Sequence, residues 1–333
     1  MRTKRTMRTM QDGRFRRAAV AMTAAALLLG ACGGEESATP NDQAGSQADG
    51  QTDAPTDADT DGPATGPTIV TRGQDFSEAR TLVKVYALHL ESLGYPVEIL
   101  TAAGFRTEAI AALEAAQVNM IVDYIGGSQA ALAPDAPPSS DADTIMETIR
   151  PAYAALGATV LDYTPAIDGD ALVVRGDSPA TTISDLAGLG VVFGASAQCF
   201  ERPQCFLGLT DPDVYGIEFS DTRTIDFGPL LGEALRAGEV DAVIWNDTAP
   251  QIDVEGFRVL IDDRGLFPAQ NIAPILRDEL IVAYGDTLVA AIDALSALIT
   301  TEDLIAWNVA TDLEFREPID VAREWLTERG LLG

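Results

Sequence analysis

From Thr68 onward the chain alternates between short runs of β-branched residues and longer stretches in which apolar side chains return every three or four positions. Thr68 to Thr71 reads as a strand, and Ser77 to Leu93 as a helix carrying Ala79, Leu82, Val83, Tyr86, Leu90 and Leu93 on one face, stopped by Gly94. Pro96 to Leu100 reads as strand, Thr107 to Ala116 as helix, and Val118 to Tyr124 as a buried strand. After a proline-rich loop at residues 134–138 come a helix to about Leu156 and strands at Thr159 to Tyr163 and Ala171 to Arg175. The theme then repeats, with a short helix at Ile183 to Ala187, a strand at Gly190 to Gly194, a helix at Pro229 to Ala237, and strands at Ala242 to Trp245 and Arg258 to Ile261. Three helical stretches close the chain, near 285–299, 301–311 and 319–329. Strands alternating with helices of this length predict an α/β fold of parallel sheets with helices on both faces.

Before Thr68 the pattern is different. Seven basic side chains (Arg2, Lys4, Arg5, Arg8, Arg14, Arg16, Arg17) precede an apolar run from Ala18 to Leu29, too short to span a bilayer comfortably. Residues 1–31 therefore read as a secretory signal. The run ends in Leu29-Gly30-Ala31-Cys32, which resembles the lipobox of bacterial lipoproteins, so Cys32 is expected to become the lipidated first residue of the mature chain. The plainer alternative is a signal cut elsewhere with Cys32 incidental. Residues 32–67 have almost no large apolar side chain and cannot offset the cost of ordering, so an acidic solvated tether is expected there. Within it, Asp57 to Gly62 copies the start of a calcium loop, but Thr68 stands where the bidentate glutamate belongs, and no metal site is expected.

The chain carries 22 Lys and Arg against 51 Asp and Glu, a net charge of −29, and seven of those bases lie in the signal. So negative a field argues against nucleic acid and anionic lipid surfaces as partners. A salt-rich habitat and ordinary acidic solubility explain the excess equally well. Cys199 and Cys205, with Pro203 between them and no histidine or third cysteine near, are expected to form a small disulfide loop if their Cα atoms come within about 7 Å.

The residues offer no enzyme. The single histidine, His89, sits inside the first amphipathic helix. Gly194-Ala195-Ser196-Ala197-Gln198 lacks the last glycine of a nucleophile elbow, and Gly188-Leu189-Gly190 precedes a strand instead of joining strand to helix. No phosphate loop, metal-ligand cluster or cofactor motif is present, and no cofactor is expected.

Several stretches in order resemble the substrate-binding proteins of ABC importers for glycine betaine, choline, carnitine and related osmoprotectants. They are Asp75-Phe76-Ser77-Glu78, Leu90 to Val97, Asp123-Tyr124-Ile125-Gly126, Ser184 to Ala187, Gly208-Leu209 with Tyr215-Gly216, Asp262 to Pro274, Trp307-Asn308 and Pro318 to Ala322. The resemblance implies a two-lobed, type II periplasmic-binding-protein-like fold with two crossover segments, near Asp168 to Leu172 and Pro268 to Ile272. Lobe 1 then takes residues 68–167 plus 272–333, and lobe 2 residues 168–271. It also implies an extracytoplasmic lipoprotein, held to the membrane through Cys32, that delivers a small osmolyte to ABC permease and ATPase subunits. The competing reading is a ligand-sensing subunit that uses the same fold to signal to a membrane partner.

A quaternary ammonium cannot donate strong hydrogen bonds, so aromatic faces and carboxylates must hold it. The ligand-binding candidates are Gln74, Phe76, Tyr124, Asp168, Asp170, Arg202, Trp245, Asn246 and Gln270. For Phe76 the alternative is a hydrophobic staple beside a capping box of Asp75 and Glu78, for Tyr124 a place in the core alone, and for Asp168, Asp170 and Arg202 a solvated surface role. Where well-known betaine binders carry a lysine, Gln74 stands, and their Tyr-Thr-Gly-Thr is Tyr124-Ile125-Gly126-Gly127 here. Two anchors for a ligand carboxylate are thus missing from this sequence.

Overall fold

The computed structural model describes residues 66–332. The expected signal (1–31), Cys32 and all but the last residues of the expected tether (32–67) lie outside the described residues. The chain runs β1 (Ile69–Arg72), α1 (Ser77–Ser92), β2 (Val97–Ile99), α2 (Arg106–Glu114), β3 (Met120–Tyr124), α3 (Ile125–Leu132), α4 (Ala142–Ala154), β4 (Ala158–Val160) and β5 (Asp170–Val174). It continues with β6 (Val192–Ala195), the single turn α5 (Gly208–Thr210), β7 (Asp221–Thr224), α6 (Pro229–Ala237), β8 (Ala242–Asn246), α7 (Pro250–Val254) and β9 (Arg258–Val259). Strand β10 (Ile272–Arg277) and helices α8 (Asp278–Ser296), α9 (Thr301–Asn308) and α10 (Pro318–Glu328) complete it.

Two five-stranded sheets result, ordered β2-β1-β3-β10-β4 and β7-β6-β8-β5-β9. The α/β class matches the sequence pattern, but the sheets are mixed and not wholly parallel. β10 runs antiparallel to β3, with Ile272 opposite Tyr124, and β5 runs antiparallel to β8, with Asp170 opposite Asn246. The reason is topological. A segment that has just crossed from the other sheet enters at the edge where the parallel strands end, so it can only run away from that edge.

Apolar clusters cover both faces of each sheet. In the second sheet Leu172, Val174 and Ile244 pack on one side, and Val173, Val243 and Trp245 on the other. That burial on two faces explains why these strands read as continuous apolar runs. In the first sheet, Leu82, Tyr86 and Leu90 of α1 pack with Leu280, Trp307 and Trp325, while Ile145, Ile149 and Tyr153 of α4 cover the opposite face. Each fully buried aliphatic side chain contributes about 1.5–3 kcal/mol.

The start of α1 departs from expectation. Phe76 is the N-cap residue with no side-chain capping bond, Asp75 pairs instead with Arg80, and Glu78 is buried. Glu78 lies four residues before Leu82 on the buried stripe, where Tyr124 and Asn308 offer it hydrogen bonds that a capping position would forgo.

Candidate functional site

Residues just beyond the C-terminal ends of parallel strands, from both sheets, line a trough between the sheets, where ligands gather in open α/β folds. The two crossing segments meet behind it: Ile167 bridges Asn271, and the Asp168 N–H donates to the Gln270 carbonyl at 3.3 Å. An inner chamber of about 300 Å³ is lined by Phe76, Arg106, Tyr124, Asp168, Asp170, Arg202, Asn246 and Gln270. A wider chamber of about 880 Å³ shares Phe76, Asp168 and Asn246 with it and extends toward the C-terminal helices.

Aromatic and acidic groups meet where the chambers join. The rings of Phe76 and Tyr124 stack with centroids 6.0 Å apart. The Tyr124 hydroxyl donates to Glu78 Oε1 at 2.6 Å, and Asn308 Nδ2 donates to Glu78 Oε2 at 2.7 Å. Asp168 Oδ1 accepts from Asn246 Nδ2 at 2.7 Å and from Thr248 Oγ1 at 2.8 Å, and Asp247 accepts from the Gly169 N–H at 3.0 Å. None of these three acids takes part in an ion pair among the described residues. Burial, and then the charge of Asp168, push the Glu78 carboxyl up to about 8 and the Asp247 carboxyl up to about 7. Burial also raises Asp168, against the pull of its bonds from Asn246 and Thr248. Burial of this kind favours the neutral carboxyl, and a cation beside it favours the anion.

Two arginines furnish the inner chamber. Arg106, the first residue of α2, directs Nε to both oxygens of buried Asp123 at 2.9 Å, and Asp123 also accepts from Ser128 Oγ at 2.8 Å and Gln74 Nε2 at 2.9 Å. The guanidinium lies against Gly127, where a side chain would have to displace it. Neither Nη group of Arg106 is hydrogen-bonded among the described residues, which leaves the fork available to an anion. Arg202 pairs with Asp170 across the rear of the chamber. It lies inside the loop closed by the disulfide between Cys199 and Cys205, whose Cα atoms are 5.3 Å apart.

Of the nine expected ligand residues, Phe76, Tyr124, Asp168, Asp170, Arg202, Trp245, Asn246 and Gln270 line the trough. Gln74 stands behind it, its amide spent on Asp123, and Gln270 accepts from the Gly127 N–H at 3.0 Å. The ligand residues expected from sequence did not include Glu78, Arg106, Thr248, Asn308, Phe227 or Phe315, which also line the chambers, although Glu78 and Asn308 stood in the stretches that carry the resemblance. For Glu78 a signal existed, an acid on the apolar stripe of α1. For Arg106, which meets Asp123 only through the fold, there was none.

Residues 67–328 match the family described as the substrate binding domain of ABC-type glycine betaine transport systems. A glycine-betaine-binding protein of Pseudomonas aeruginosa is 27% identical over 280 residues, which cover 80% of this chain and 89% of the relative. Among solved structures, a glycine betaine/carnitine/choline ABC transporter protein superposes with a TM-score of 0.72 at 22% identity, covering 80% of this chain and 100% of its own. The apo form of YehZ from Escherichia coli gives 0.70 at 18% identity, with the same coverage.

Proposed function

Because the chain belongs to the family of substrate-binding domains of ABC-type glycine betaine transport systems, we propose that it captures a quaternary-amine osmolyte outside the cytoplasm and delivers it to an ABC permease. Members of that family are binding subunits and not enzymes. The reading extends to a lipoprotein held at the membrane by Cys32.

One observation carries the choice of ligand. The stacked rings of Phe76 and Tyr124 stand beside Glu78 and Asp168, two acids that form no ion pair among the described residues, and this is the combination that holds a cation unable to donate hydrogen bonds. The glycine-betaine-binding relative in Pseudomonas aeruginosa supports the same class. Calorimetric titration with glycine betaine, choline and carnitine tests it; saturable binding of at least one is expected, and silence from all three would sink the reading. Replacing Cys32 by Ser should release the protein from the membrane fraction, and retention there would count against the anchor.

A further inference from the structure

We propose that the wide chamber beyond Phe76 is a separate subsite for the apolar substituent of a bulky organic cation, one carrying an aryl or long alkyl group on its ammonium. This deepens the osmolyte reading of the same cleft and rests on it for the cationic head.

The chamber is built differently from the inner one. At about 880 Å³ it is far larger than the roughly 300 Å³ that holds Arg106 and Arg202, and no basic side chain among the described residues lines it. Phe227, Trp245, Leu313 and Phe315 line it together with the acids Glu78, Asp168 and Asp312. Aromatic side chains mixed with acids select an apolar cation, since a neutral apolar guest would leave the acids desolvated and an anion would meet them directly.

A second observation is independent of the acids. Asn308 lines the same chamber and is 6% exposed, with Nδ2 committed to Glu78 and to the Thr248 carbonyl, yet its Oδ1 accepts from no described residue. A buried acceptor without a partner costs about 1–3 kcal/mol, so this corner of the chamber wall carries an unmet demand for a donor or a positive charge nearby.

The two phenylalanines come from opposite sheets' segments and are held out from the protein. Phe227 is 56% exposed and precedes Gly228, whose φ is +118°; Phe315 is 85% exposed and is itself left-handed, with a φ of +57°. At Phe315 that backbone is strained for a residue with a side chain, and both rings stand exposed at the chamber instead of in a core.

The test compares two permanently charged probes that differ by one aryl group, tetramethylammonium and benzyltrimethylammonium, titrated into the full chain. The benzyl probe is expected to bind about ten-fold tighter or better, and the Phe227→Ala/Phe315→Ala double variant to bring the ratio of affinities to within about three-fold. Both rings are exposed, so the variant folds, and its melting temperature verifies this. A ratio near one in the unaltered chain, or a ratio that survives the double substitution, overturns the subsite while leaving the osmolyte reading intact. Benzyl binding that depends on the two rings, with no binding of glycine betaine, choline or carnitine, upholds the subsite and removes the osmolyte reading. No binding of either probe overturns the subsite.

Discussion

At the scale of the residue, Arg106 bears on the choice of ligand. The sequence lacks two anchors for a ligand carboxylate, but the structure brings a guanidinium with both Nη groups available among the described residues into the same chamber. A charge-assisted pair with a carboxylate contributes about 1.5–3 kcal/mol. We predict that Arg106→Gln weakens glycine betaine or carnitine binding roughly ten-fold or more, yet shifts choline, which has no carboxylate, by less than about three-fold. Equal losses for all three would reduce Arg106 to a partner of Asp123. Glu78 carries the pH prediction. In the unfolded chain it ionises near its ordinary value of 4.5, whereas in the fold burial holds its proton to about 8. Between those values the unfolded state releases a proton that the folded state keeps, so stability falls as pH rises from about 4.5 to about 8 and levels off above. Urea unfolding of the ligand-free chain at pH 5, 6.5 and 8 should show this decline, flatter in Glu78→Gln; matching slopes in the two proteins would refute it.

At the scale of the element, the disulfide loop connects stability to the site. Cys199 and Cys205 are both buried in the core of Phe193 and Leu209, and Arg202 projects between them toward Asp170. Closing so short a loop is worth roughly 2 kcal/mol. The double Cys199→Ala/Cys205→Ala variant should lose about that much stability and bind its osmolyte several-fold more weakly, because Arg202 no longer has a fixed origin. Stability lost with affinity intact would separate the loop from the ligand. The same scale shows what the sequence disclosed. The strands and helices with two-faced or one-faced apolar patterns, such as β3, β8 and α1, were legible within a few residues. β7 was not, because Asp221–Thr224 is an edge strand exposed at every position and offers no alternation. β10 was hidden by Pro274 in its middle, a residue that argues against a central strand, yet it lies between β3 and β4. The last long helix begins at Asp278, earlier than expected, and breaks its helical backbone at Gly285, where φ is +65°. The site was legible where a residue ends a strand, as Tyr124 and Asn246 do. It was illegible where distant segments converge, as Arg106, Asp247 and Asn308 do.

At the scale of the whole molecule, the acid excess decides how salt acts. Most arginines of the described residues are already paired with a carboxylate, from Arg80 with Asp75 to Arg329 with Asp303, so the surplus acids face water and one another without counterions. Salt weakens both terms. Exposed pairs contribute about 0–1 kcal/mol each, while repulsion among the surplus acids of the described residues is long-ranged and acts chiefly on the compact state. The Debye length falls from about 10 Å at 0.1 M to about 3 Å at 1 M, which cancels the many long-range repulsions before it cancels pairs in contact. The repulsive term therefore governs, and the melting temperature of the ligand-free chain should rise by several degrees between about 0.1 M and 1 M potassium chloride. Association of a cationic solute should slow over the same range, since the field that steers it into the trough is screened as well. Stopped-flow binding and thermal melts on the same salt series separate the two effects. A melting temperature that stays level or falls would mean that the ion pairs outweigh the repulsion, and that the acid surplus serves solubility alone.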